Sequence, residues 1–153
     1  MKKLLLVLIF AASAFGQSKV YSVFREESLS SADTALTIQQ PSSPTKTATI
    51  LAAMVYCEAA TTVILEHSGT AATATAVTPD PNTPTSTAAT ILAFRSSDAG
   101  AGTTKAKYAC AAGQTISLDF NGVALLRTAG ANYTIRVGTM SGTVYLFWMW
   151  RED

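Results

Sequence analysis

The chain has 153 residues, with 11 Lys and Arg against 10 Asp and Glu, 48% apolar residues and only 14% charged ones. That balance excludes a disordered chain, a collagen-like repeat and a polybasic nucleic-acid binder. Ala and Thr supply 26 and 22 residues, whereas there is one His, two Cys and two Trp, so the side chains most enzymes use for catalysis are scarce.

In chain order, residues 1–16 come first. They open with Lys2-Lys3, run apolar through Ala12 and close on Ser13-Ala14-Phe15-Gly16, the succession of a secretory signal peptide. Cleavage is expected after Gly16, with Ala12-Ser13-Ala14 as a competing site. The apolar stretch is shorter than the roughly 20 residues of a membrane-spanning helix. Cleavage leaves a single domain at 17–153 with 9 basic and 10 acidic side chains, and no charge field to draw nucleic acid or an anionic membrane. A bacterial secreted, periplasmic or cell-surface location is expected, without membrane insertion once the leader is removed. Export would place Cys57 and Cys110 in an oxidising compartment, where two thiols in a small domain tend to pair; two separate buried thiols are the alternative.

Beyond the leader almost nothing has helical period. Residues 114–120 alternate, with Ile116, Leu118 and Phe120 on one face and Thr115, Ser117 and Asp119 on the other, and residues 132–137 repeat the rhythm, with Tyr133, Ile135 and Val137 inward and Asn132, Thr134 and Arg136 outward. Further strands are expected at 19–26, 34–39, 47–58, 61–67, 70–77, 90–95, 103–109, 123–127 and 142–151. About ten short strands with no helical crossover imply an all-β fold, an antiparallel β-sandwich or jelly roll. Thr suits pleated surfaces, but Ala is a poor strand former, so the run at 71–76 needs a close neighbour or else becomes helical. Segments 47–57 and 61–67 are expected to pair as a hairpin, with Val55 opposite Val63 and Ala53 opposite Leu65. The prolines at 79, 81 and 84 break any strand there, and 41–44 and 96–102 read as loops.

Few residues suggest chemistry. His67 is the single imidazole, at a strand end, and a zinc site would need more ligands than one His and two paired Cys provide. Gly138-Thr139-Met140-Ser141-Gly142 places its serine one position late for a nucleophile elbow and is expected to be a hairpin turn. Asp119 is the best isolated acid, and Asp80, Asn82 and Asp98 could serve calcium only if two loops converged. Asn132-Tyr133-Thr134 fits the glycosylation pattern, but the short leader looks bacterial. No catalytic residue, metal or cofactor is therefore assigned.

The most unusual segment is 144–150. Val144, Leu146, Trp148 and Trp150 lie on one face and Tyr145, Phe147 and Met149 on the other, so the strand is apolar on both sides. One face can fill a core. The other is covered within the domain, meets a subunit or partner, or offers rings to a glycan. Tyr145, Phe147, Trp148 and Trp150 are the candidate surface.

At Met54-Val55-Tyr56-Cys57, at 62–74 and again at 132–137 and 150–152, the chain resembles small secreted β-sandwich proteins of environmental bacteria that have no established activity. Those proteins often carry two nearby cysteines around the first hairpin, whereas the second here is Cys110. The architecture also looks like the sandwiches of virion decoration and surface-fibre subunits, a likeness that implies no function. The expectation is a secreted, non-catalytic structural or interaction protein that self-associates or meets a surface protein. A carbohydrate-binding module using the aromatics of the last strand comes second, and a small hydrolase built on Asp119 or His67 third.

Overall fold

Period-2 alternation becomes pleated strands wherever an apolar face can be buried. The computed structural model describes residues 19–30, 34–68, 75–82, 87–96, 102–120, 124–138 and 140–153; the leader, most of the Ala-Thr run, Asp98 and Thr139 lie outside the described residues. The described strands are β1 (Lys19–Ser30), β2 (Thr34–Gln39), β3 (Ala48–Cys57), β4 (Thr61–Ser68), β5 (Thr75–Val77), β6 (Asp80–Pro81), β7 (Leu92–Ser96), β8 (Thr103–Cys110), β9 (Gln114–Ser117), β10 (Leu125–Leu126), β11 (Asn132–Val137) and β12 (Ser141–Glu152).

They form two antiparallel sheets. In one, β12 lies between β1 and β3, β6 pairs the far side of β1, and β9 and β10 share the far edge of β3. In the other, β11 lies between β2 and β4, with β8 outside β4 and β7 then β5 outside β2. The orders β1-β12-β3-β9 and β2-β11-β4-β8 are those of a jelly roll, in which successive strands alternate between sheets.

This alternation overturns two sequence expectations. Strands β3 and β4 are not a hairpin: Val55 pairs with Leu146 and Ile116, and Val63 pairs with Val137 and Tyr108, in opposite sheets. Likewise the segment around Gly138 carries the chain from β11 in one sheet to β12 in the other. Local adjacency favours a tight turn, but pairing with distant strands lets both apolar faces close on one core. The prolines yield a smaller correction, since Asp80 and Pro81 do pair with Ser22 and Tyr21, at a sheet edge where a missing N–H is tolerated.

The core lies between the sheets. Tyr21, Val23, Val55, Leu146, Trp148 and Trp150 meet Leu36, Ile38, Leu65 and Ile135 from the opposite layer. Trp148 donates its indole N–H to the carbonyl of Leu36 across the layer at 2.9 Å, which satisfies a polar atom that burial would otherwise leave unpaired. Between Met149 and Trp150 the β12–β3 register shifts by one, and the extra residue, Leu51, remains exposed.

The outer face of β11 departs from the expected polar, solvated surface. Asn132 and Thr134 are buried, as are Thr37, Gln39 and Glu66 on the flanking strands. Thr37 and Thr134 share a hydroxyl hydrogen bond of 2.8 Å, and Glu66 accepts from Arg136 at 2.7 Å. The Asn132 glycosylation pattern is thus buried inside a central strand.

Candidate functional site

Because β12 is central in its sheet, its two faces have different fates. Trp148 and Trp150 point inward and have no exposed surface, so they are removed from the candidate surface and assigned to the core. Tyr145 and Phe147 point outward and remain part of it. Register adds neighbours that inspection of the last strand alone misses: Phe24 and Met54 flank Phe147, and Glu26 and Tyr56 flank Tyr145. Phe24 had a sequence signal, as the one aromatic residue among Val20, Ser22, Glu26 and Ser28 on its side of the strand.

These side chains make a continuous aromatic face. Phe24 and Tyr145 stack with centroids 5.7 Å apart and planes at 27°, and Tyr56 tilts against Tyr145 at 5.5 Å. Phe24 is 54% exposed and Leu51 43% exposed, large apolar groups left to water beside a filled core. At one end the Tyr145 hydroxyl donates to the Glu26 carboxylate at 3.5 Å, and that negative charge pushes the phenol's pKa up. At the other end Arg151 bonds Asp153 at 3.0 Å.

Cys57 and Cys110 form a disulfide that joins β3 in one sheet to β8 in the other, both residues buried. A buried disulfide fits an oxidising, extracellular or periplasmic setting. No helix among the described residues is long and apolar enough to cross a membrane.

His67 and Asp119, weighed separately in the sequence, approach one cleft. Asp119 lines it with Leu65, Lys105, Ala106, Phe120 and Tyr133, and His67 packs edge-on against Tyr133 at 5.0 Å. Burial, assisted by the Lys105 charge, holds the imidazole below its ordinary pKa. Among the described residues no group of three His, Cys, Asp or Glu gathers to hold a metal. Asn82 instead accepts a hydrogen bond from the Ser22 hydroxyl at 3.0 Å.

The fold and these surfaces define a disulfide-stapled jelly roll with an open aromatic sheet face and a separate small cleft. No family model, curated protein or solved structure matches the chain.

Proposed function

We propose that the protein is a secreted, non-catalytic structural or interaction component of the cell surface or extracellular space, and that it joins a second copy of itself through the outer face of the β12 sheet. The observation that carries this reading is the row of exposed Phe24 and half-buried Phe147 and Met54 beside Tyr145 and Tyr56, on the outside of a sheet whose inner face is already filled. Such a face loses unfavourable apolar contact with water when a like face covers it. A two-fold pairing centred near Phe147 sets the Glu26 and Glu58 end of each copy against the Arg151 end of the other. Arg151 already shares its charge with Asp153, so the apolar rows supply the attraction and the charges only orient it.

Sedimentation velocity over a concentration series tests the reading. The wild-type protein is expected to self-associate, and Phe24→Glu or Phe147→Glu to sediment as a monomer with an unchanged unfolding midpoint. A wild-type protein that stays monomeric at every concentration refutes it. The stacked rings beside the Glu26 carboxylate support a second reading, a carbohydrate platform, which takes over if that monomer is retained on insoluble polysaccharide and Tyr145→Ala abolishes retention.

A further inference from the structure

Among the described residues, the sandwich opens into a cleft along its β8 edge. Strand β9 ends at Ser117, the Leu118 N–H makes one more bond to the Ala53 carbonyl of β3 at 2.9 Å, and the chain then leaves that edge with Leu118 and Phe120 still turned inward. Phe120 lies edge-on to Tyr133 at 5.8 Å and 5.9 Å from the ring of Trp148, so it props the two layers apart. Opposite it, β8 contributes the small Ala106 and the side chain of Lys105. What remains is a cleft of about 290 Å³ lined by Leu65, Lys105, Ala106, Asp119, Phe120 and Tyr133.

The cleft is built in advance of any ligand. The Tyr108 hydroxyl donates to the carbonyl of Asp119 at 2.9 Å and accepts from the Asp119 N–H at 3.1 Å, a two-point clamp on the backbone that carries the acid. Leu65 and the rings of Phe120 and Tyr133 make an apolar floor and walls, and Lys105 and Asp119 bring opposite charges to the same small opening. A ligand with a single net charge is attracted by one of them and repelled by the other. A neutral molecule rich in hydroxyls satisfies both, because each hydroxyl can donate to a carboxylate and accept from an ammonium. An apolar ring face against aromatic walls completes the match. The volume is at the lower end of ligand pockets, which begin near ~300 Å³, so it suits one ring and not a chain of them.

We propose that this cleft binds a single neutral pyranose ring, such as the terminal unit of a glycan, with Asp119 accepting from its hydroxyls, Lys105 donating to them and an aromatic wall covering its C–H face. The site is separate from the aromatic sheet face and does not depend on self-association.

An amide NMR titration of the oxidised protein tests it, using methyl glycosides of glucose, galactose and mannose, with glucuronate, glucosamine and phenylalanine as charged and zwitterionic comparators. At least one neutral glycoside should shift the amides of Lys105, Asp119, Phe120 and Tyr133. Asp119→Asn should weaken that binding by about tenfold or more, in a protein whose amide spectrum remains that of the folded chain. Absence of binding by every neutral glycoside overturns the proposal, as does binding confined to the comparators. Neutral-glycoside shifts that map to Phe24 and Tyr145, or that persist unchanged in Asp119→Asn, overturn it too.

Discussion

Cys57 and Cys110 join the two sheets across 53 residues of sequence, with Cα atoms 6.3 Å apart. The bond sits where two crossings meet. From Cys57 the chain passes to β4, whose first residue, Thr61, pairs with Cys110, and from Cys110 it passes to β9, with the Gly113 N–H donating back to the Cys57 carbonyl at 2.8 Å. The disulfide therefore staples two inter-sheet crossings at one rim.

Replacing both cysteines, as Cys57→Ala with Cys110→Ala, should lower stability by about 3 to 4 kcal/mol, since a loop of this size is released in the unfolded chain. Urea unfolding followed by tryptophan fluorescence reads the change. Wild-type protein under reductant should approach the same midpoint, and coincidence of oxidised and reduced curves would refute the stapling role.

The two faces of β12 should respond very differently to truncation. Trp148→Ala or Trp150→Ala removes a fully buried ring and should cost about 3 to 5 kcal/mol. Phe24→Ala, on the exposed face, should remain within about 0.5 kcal/mol of wild type. Thermal unfolding of the three variants checks the contrast, and similar losses from all three would contradict the assignment of faces.

Glu152 is a buried carboxylate at the end of β12 that accepts from the N–H groups of Thr90 and Ile91 at 2.9 Å each and from the indole of Trp150 at 3.1 Å. It anchors the segment leading into β7, which has no strand partner of its own at those residues. Glu152→Ala strands three donors and should cost about 3 kcal/mol or more. Hydrogen exchange should accelerate most at Thr90 and Ile91, and an effect spread evenly over the sheet would count against the anchor.

At the crossing into β12, the Thr143 N–H donates to the Glu58 carboxylate, which holds the acid below the ordinary glutamate range. Gly142, at φ 129°, makes this approach possible, because a Cβ there would stand 3.2 Å from a Glu58 carboxylate oxygen. A carboxylate with a lowered folded-state pKa binds protons less readily than in the unfolded chain, so its contribution is complete above the ordinary range and is lost as acid titrates through the lowered value. The unfolding midpoint of Glu58→Gln should therefore fall less steeply with acidification than that of wild type. Parallel profiles would show that the bond contributes nothing.

Much of the architecture was legible in the alternation of residues. Segments 34–39 and 132–137 are the strands expected, and 103–109 and 142–151 differ only at their ends. Ile116, Leu118 and Phe120 turn toward the core, as their spacing implies, although the ladder itself stops at Ser117. The pairing of Cys57 with Cys110 followed from compartment and number. The aromatic candidates were half legible: two faces could be distinguished on the terminal strand, but nothing local said which one met the core.

A side chain's parity is a property of its own strand, because successive residues of a pleated chain point to opposite sides whatever lies nearby. The alternation of strands such as β2 and β11 and the division of Tyr145 and Phe147 from Trp148 and Trp150 therefore come from order along the chain alone. Which strand lies beside which is settled by burial of the whole apolar surface at once, and that optimum separated β3 from β4, set Phe24 next to Phe147, and carried Lys105 and Asp119 to one cleft. Those meetings join residues far apart in sequence, and the free energy that selects them exists only once both sheets have closed on a shared core.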